Sequence, residues 1–332
     1  MDTFVNSSWY YLRYCDSKNN KKIFDRKKAG YWTPIDMYIG GKEHACMHDI
    51  YIRFYTKFLR DLGLIKINEP AVKLFVQGMV HGEDGNKMSK SLGNVIDPLD
   101  TIEKYSADAL RFFLVSVASP DSDFNWSDKG IQGTFKFVNK LFDYFQRAKI
   151  GKSSKKAESK LNKAIKEISL DIENFKYNFA VIKIRALLDV FEEETEIGKK
   201  DLEIFLKLIS VFCPHLAEEI WSKLVGKGFI SLADWPVCDE KKIDYNLEKQ
   251  EQAVENLISD IRNILKILEN KNEKKETIKI FVIPNELNIY KNADKKIEQI
   301  FNMKTEILSI SEAAKTGKNI KAKPGKPGIL ME

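Results

Sequence analysis

Residues 73–94, KLFVQGMVHGEDGNKMSKSLGN, decide the fold. The run at 73–80 reads as a buried strand, and the Gly-, Asn- and Ser-rich stretch after it reads as a loop. Upstream, YWTPIDMYIGG at 31–41 is a short apolar, strand-like run that ends in a Gly pair. Between the two, HACMHDIYIRFYTKFLRDL at 44–62 has helical spacing, with Met47, Ile50, Tyr51, Phe54, Phe58 and Leu62 on one stripe and Gly63 just past the end. Strand, helix, strand predicts a crossover unit with parallel strands. Such a unit delivers residues 81–94 to the C-terminal edge of the sheet, where open α/β sheets bind ligands.

Downstream, Asp97-Pro98 is a helix-start pair, and TIEKYSADALRFFLVS at 101–116 reads as one or two helices ending near Pro120, a connecting segment over 96–126. From 127 to 272 the pattern is helical. Five segments, 133–149, 161–194, 202–212, 215–225 and 247–270, each carry an apolar stripe with charges elsewhere, and short breaks between them predict an antiparallel bundle. Over 273–332 the period changes: TIKIFVIP alternates like a strand, a short helix is expected around 291–302, and TEILSI and GILME are strand candidates. The expected fold class is therefore α/β plus all-α: a parallel α/β part over 1–95, a helical bundle, and a small α+β C-terminal domain.

The 332 residues suggest two or three domains at about 150 residues each. A hydrophobic fraction of 43% with 20 Phe, 12 Tyr and only 17 Gly excludes collagen-like, mucin-like and wholly disordered chains. No run of eighteen or so apolar residues occurs, and the opening lacks the basic and apolar regions of a secretory signal, so a cytoplasmic protein without membrane attachment is expected. The four cysteines are far apart with no CxxC pair, which suggests neither a structural zinc site nor a disulfide framework. The balance of 54 Lys+Arg against 48 Asp+Glu is mildly basic. It is uneven, because Lys315, Lys318, Lys321, Lys323 and Lys326 crowd the C-terminal tail. Such a tail suits a polyanion, as it suits plain solvation. The same two readings apply to Lys149, Lys152, Lys155, Lys156, Lys176, Lys183 and Arg185 on the bundle. Trp221, Trp235 and His215 read as packing and structural residues, and His81 as a phosphate-side neighbour of the loop.

Three constellations carry chemistry. Lys87 and Lys90, with Ser89 and Ser91, put two ammonium groups and two hydroxyls on a loop at the ligand edge, an arrangement suited to a triphosphate whose leaving pyrophosphate gains charge. Gly40-Gly41 lets backbone approach a ligand and open a helix N-terminus, with Glu43 placed to accept from sugar hydroxyls. His44 and His48 share one helix face. Metal is the competing reading of that pair, but the Glu of a HExxH site is missing and no third ligand lies near, so no zinc is expected.

Lys87-Met88-Ser89-Lys90-Ser91 resembles the signature loop of class I aminoacyl-tRNA synthetases. The flanks resemble the leucyl-tRNA synthetase version: Met1-Asp2-Thr3-Phe4, Ser7-Ser8-Trp9-Tyr10 and Arg13; Tyr38-Ile39-Gly40-Gly41-Lys42-Glu43-His44 and His48; Gln77-Gly78-Met79-Val80; Tyr105, Ala107-Asp108-Ala109-Leu110-Arg111 and Trp126-Ser127. The tail Lys321-Ala322-Lys323-Pro324-Gly325-Lys326-Pro327-Gly328 is similar to the archaeal-type C-terminus. The resemblance implies the second half of a Rossmann-like catalytic domain followed by an anticodon-binding-type bundle and a tRNA-binding appendage. It implies an ATP site at Gly40, Gly41, Glu43, Gln77, Lys87, Met88, Ser89 and Lys90, with Lys87 and Lys90 catalytic and Mg²⁺ carried by the nucleotide. It further implies a leucine pocket at Ser7, Tyr10, Tyr38, His44 and His48, and contacts of Lys321, Lys323 and Lys326 with tRNA(Leu). The family's first motif, of the His-Ile-Gly-His kind, is supplied by none of the four histidines. The chain is therefore expected to correspond to the C-terminal part of such an enzyme, either a smaller subunit or a piece of a longer chain. It would need the N-terminal half or larger subunit, which also carries the editing domain, as partner, and by itself would form little leucyl-adenylate. A synthetase-derived RNA-binding module without catalysis is the alternative.

Overall fold

The computed structural model describes residues 4–270, 275–290, 293–316 and 320–332, with only the backbone at 270 and 314–316. Met1, Asp2, Thr3, Lys318, the Lys315 side chain and the expected boundary at 272–273 lie outside the described residues. The chain forms two compact units, residues 1–239 and 240–332.

The first unit opens with three short helices, α1 (Phe4–Ser7), α2 (Tyr10–Tyr14) and α3 (Arg26–Trp32), the last capped by the Asp25 carboxylate, which accepts from the Lys27 and Lys28 N–H groups. Strand β1 (Ile35–Gly41), helix α4 (His48–Asp61) and strand β2 (Ala71–Gln77) form the expected crossover, with β1 and β2 parallel and in register from Ile35↔Ala71 to Gly41↔Gln77. Tyr11, Leu12, Phe24, Ala29, Ile52, Leu59 and Ile65 make one core beneath them.

Three local expectations are corrected. The stretch from His44 is not one helix: a 3₁₀ turn at Lys42–Cys46 is separated from α4 by Met47 at φ −131°, ψ −96°. The stripe of α4 is not its buried face, since Ile52, Thr56 and Leu59 are buried while Ile50, Phe54, Phe58 and Leu62 are 57, 64, 47 and 55% exposed. Spacing marks which residues avoid water, not which layer covers them. The apolar run at 73–80 is neither fully buried nor one strand. Leu74 and Val76 are exposed, β2 ends at Gln77, and the chain turns at Gly78-Met79 into β3 (Val80–His81).

Gly78 explains the turn. Any Cβ there would run into the Ser122 carbonyl group, and the Gly78 N–H donates to the Pro120 carbonyl at 2.8 Å. β3 pairs in parallel with β4 (Phe124–Asn125), which follows α5 (Pro98–Tyr105, opened by Asp97 and Pro98) and α6 (Ala107–Val117).

Helices α7 (Asp128–Arg147), α8 (Lys155–Glu173), α9 (Tyr177–Glu192), α10 (Lys199–Ser210) and α11 (Pro214–Leu224) join α6 around the main core, which includes Phe112, Phe113, Ile131, Leu141, Leu161, Ile184, Leu188 and Phe205. The segment 161–194, read as one stripe, is two helices broken at Phe175, whose φ is +58°. Arg185, counted above among surface cations, has its guanidinium carbon 4.0 Å from the Phe137 ring centroid, and burial lowers its pKa. Lys183 pairs with Asp171. Trp221 is buried; Trp235 is 37% exposed and donates from Nε1 to Ser169 Oγ at 2.8 Å. The structural reading of His215 holds: buried Asp108 accepts from the Leu216 N–H at 2.7 Å and lies 2.9 Å from His215 Nδ1, holding the start of α11.

In the second unit, α12 (Tyr245–Asn270), read above as the last bundle helix, packs on the C-terminal sheet. Its Leu257, Ile258 and Ile261 share a core with Ile278, Ile280 and Val282 of β5 (Thr277–Val282). α13 (Leu287–Tyr290) and α14 (Ala293–Phe301) lead to β6 (Lys304–Ser309) and β7 (Gly328–Met331), parallel and antiparallel respectively to the central β5. Within the Lys-rich stretch, residues 323–326 are a closed turn rather than a loose tail. Lys323 and Lys326 exchange backbone hydrogen bonds across Pro324-Gly325, with Gly325 at φ +69°, a turn that leads into β7.

Gly78→Ala is expected to destabilise the first unit by roughly 1–3 kcal/mol through overpacking against residues 120–123. A lowered urea midpoint at unchanged slope checks this.

Candidate functional site

The crossover brings the carboxyl ends of both strands together, because Gly41 and Gln77 are register partners. The Glu43 carboxylate folds back over Gly41, so a side chain there would have to displace it. Gly40, Gly41, Glu43 and Gln77 thus lie at one end of the strand pair, where a 3₁₀ turn rather than a long helix opens.

Asp123, which sequence reasoning passed over, ties this edge together. One carboxylate oxygen accepts from Lys42 Nζ at 2.6 Å and the other from the Met79 N–H at 2.8 Å, with His81 Nε2 3.7 Å away. The hydrogen bond from Lys42 is the largest cause of its lowered pKa. Nothing in the string DSDFN distinguishes that aspartate from an ordinary turn residue. His81 sits between this carboxylate and the loop, forming a β-bridge with Lys87.

The loop is internally ordered. Asn94 Oδ1 accepts from the Ser89 N–H at 2.9 Å, Ser89 Oγ accepts from the Leu92 N–H at 3.2 Å, and Gly93 at φ +65° closes the 3₁₀ turn Lys90–Leu92. Met88 packs against the main core and anchors the loop. Lys87 and Lys90 are exposed and make no ion pair among the described residues. Two uncompensated ammonium groups on a braced loop favour a polyanion.

A second cluster lies where α2, β1 and α4 meet. Tyr10 Oη and Tyr38 Oη are 2.8 Å apart, and Tyr38 Oη is 2.7 Å from His48 Nε2. The Tyr38 and His48 rings stack at 5.9 Å, and His44 meets His48 edge-on at 5.9 Å despite the break between them. Burial pushes the Tyr38 hydroxyl well above its ordinary pKa and the His48 imidazole below its own. Both shifts favour the uncharged form of the group concerned. His44 Nδ1 is buried without a partner. Ser7 is not drawn into this network; its Oγ donates to the Phe4 carbonyl at 3.0 Å. Lys321, Lys323 and Lys326 are exposed on the second unit, about the Pro324-Gly325 turn. Among the described residues no three His, Cys, Asp or Glu side chains are grouped to hold a metal ion, and no helix is long and apolar enough to cross a membrane.

Comparison with known proteins agrees with this geometry. A family profile described as tRNA synthetases class I (I, L, M and V) matches residues 2–127, and one described as anticodon-binding domain of tRNA ligase matches residues 154–280. The leucine–tRNA ligase of Thermosipho melanesiensis is 42% identical over 266 residues, covering 73% of this chain and 32% of the relative. The leucine–tRNA ligase of Lawsonia intracellularis is 37% identical over 335 residues, covering 86% of this chain and 40% of the relative. The chain belongs to the leucyl-tRNA synthetase family.

It spans about a third of the length of the curated relatives it matches. The crystal structure of an Agrobacterium radiobacter K84 LeuRS–tRNA–LeuAMS ternary complex superposes with a TM-score of 0.65 at 34% identity, over 74% of this chain and 34% of that one. The class I synthetase match ends at residue 127, close to the start of α7. The anticodon-binding match runs through α12 into β5, and so crosses from one compact unit into the other.

A pH prediction follows from His48. Its pKa is lower in the folded chain than the ordinary 6.5, so the unfolded state binds more protons in the window just below 6.5. Stability present above pH 6.5 is therefore lost as pH falls through it. His48→Gln is expected to shrink the fall in thermal midpoint between pH 7.5 and 5.5, measured by circular dichroism at both pH values.

Proposed function

We propose that this chain forms part of the leucine-activating and tRNA-binding machinery of a leucyl-tRNA synthetase, acting with the remaining portion of such an enzyme in the cytoplasm. The observation that carries the reading is the braced Lys87–Lys90 loop beside the Gly41–Gln77 edge. In the proposed reaction a leucine carboxylate oxygen bonds to the α-phosphorus of ATP as the bond to pyrophosphate breaks. A terminal tRNA(Leu) hydroxyl then takes the leucyl group and AMP leaves. Lys87 and Lys90 offset charge gathering on the leaving pyrophosphate, with Mg²⁺ carried in by the nucleotide. Gly40, Gly41, Glu43 and Gln77 take the adenosine side, with Met88 and Ser89 holding the loop in shape. The neutral Tyr10–Tyr38–His48 chain, with His44 and Ser7, shapes the leucine pocket without placing a charge beside an apolar side chain. Lys321, Lys323 and Lys326 meet tRNA phosphates, which makes binding salt-dependent.

The rest of the catalytic domain is proposed to cover the exposed stripe Ile50, Phe54, Phe58 and Leu62 and the free edge of β1. An uncovered apolar face and an unpaired strand otherwise favour aggregation. By itself the chain then holds too little of a composite site to keep ATP and leucine in reactive geometry. The non-catalytic RNA-binding reading draws on the anticodon-binding match. An assembled enzyme that binds tRNA(Leu) but never exchanges pyrophosphate decides for it.

In the complete synthetase, Lys87→Ala is expected to lower leucine-dependent ATP–pyrophosphate exchange by on the order of 10²–10³ while leucine affinity stays within about twofold, the pattern of an interaction made mainly in the transition state. Unchanged exchange removes Lys87 from the mechanism.

A further inference from the structure

The turn between α8 and α9 is built with the wrong residue for its backbone. The Lys176 N–H donates to the Asp171 carbonyl at 2.7 Å and the Phe175 N–H to the Ile172 carbonyl at 3.1 Å, the paired bonds of a helix end whose left-handed position is ordinarily glycine. Phe175 occupies that position at φ +58°. A bulky residue there is strained, and such strain persists only where the surroundings over-determine it.

What holds it is a ring from the catalytic part of the chain. Phe175 stacks on Phe75 of β2, with centroids 4.8 Å apart and planes 23° from parallel. On either side of Phe75 along β2, Leu74 is 53% and Val76 39% exposed, whereas Phe75 is half-buried. Phe75 lies two residues before Gln77, on the strand that leads into the Gly78 turn and the Lys87–Lys90 loop. Beside the stack, Phe175 and Tyr177 line a groove of about 360 Å³ together with Gln77, Gly78 and Pro120.

We propose that Phe175 is a positioning residue, clamping the tip of the α8–α9 hairpin onto β2 and so coupling the helical bundle to the loop-bearing end of that strand. This rests on the synthetase reading. The coupling is a physical contact separate from the covalent route through α5, α6 and α7, and it joins the bundle matched by an anticodon-binding profile to the strand that feeds the candidate ATP site. A step that needs tRNA seated on the bundle therefore feels the clamp, whereas adenylate formation without tRNA feels it much less.

The test compares leucine-dependent ATP–pyrophosphate exchange with tRNA(Leu) leucylation in the complete synthetase. Phe175→Gly suits the left-handed backbone, so the turn keeps its shape while the ring is lost. The expected result is a fall in leucylation on the order of tenfold or more, with exchange within about twofold. Phe75→Ala gives the same split, the double variant is no worse than either single one, and Phe175→Tyr restores the wild-type ratio. An unchanged ratio in Phe175→Gly, additive losses in the double variant, or an equal fall in both reactions overturns the proposal. Wild-type enzyme that performs neither reaction defeats the synthetase reading instead. The clamp is then judged by hydrogen exchange, where Phe175→Gly must loosen the amides of Leu74–Gln77, and unaltered protection overturns it.

Discussion

The arrangement depends on the closeness of two backbone segments, Gly78 at the end of β2 and Ser122 ahead of β4. Their contact leaves no space for a Cβ and puts the Asp123 carboxylate where it receives the Met79 N–H and the Lys42 ammonium at once. The ion pair itself supplies little energy, because both partners are substantially exposed and such pairs contribute about 0–1 kcal/mol. Its value is geometric. It fixes the carboxyl ends of β1 and β2 against the β3–β4 pair, and the loop from His81 to Asn94 has a defined starting point as a result. With the glycine in place, the strand hands over to the loop without a gap, and Lys87 bridges to His81 at the loop's start.

Two neighbourhoods on that frame have opposite electrostatic characters. At the loop, the ammonium groups of Lys87 and Lys90 are unpaired among the described residues and open to solvent, so their charge is available to an incoming anion. At the α2–β1–α4 junction, burial favours the uncharged forms of Tyr38 and His48, whose side chains are hydrogen-bonded to each other.

Energetically the weight lies elsewhere, in the helical bundle and in the three-stranded sheet with its helices. Phe112, Phe113, Phe191 and Phe205 are almost fully buried in the first unit, as are Ile261, Ile280 and Phe281 in the second. The parallel pair is lightly covered by comparison, with Val72, Leu74, Phe54 and Leu62 left in water. The helical part thus holds most of the buried core, and the α/β part is thinner.

The sequence by itself determined the strand–helix–strand order, the parallel pairing, the loop and its two lysines, the helical stretch and the C-terminal strands. Each of those is written in local periodicity or in short strings whose chemistry is local. The register that sets Gly41 beside Gln77 came from the structure, whereas the sequence grouped the two only through the family resemblance. Only the tertiary structure decided that α12 packs on β5, that α4 turns its predicted stripe to solvent, and that residues 323–326 form a closed turn. An apolar stripe states that a face avoids water without naming the layer that covers it. Tertiary structure alone also revealed Asp123 and the Phe75–Phe175 stack. Their partners lie 81 and 44 residues away for Asp123, at Lys42 and Met79, and the stacked rings are 100 residues apart, at Phe75 and Phe175. Contacts over such separations leave no periodic trace in either segment, since they arise only when the chain has already folded around its core.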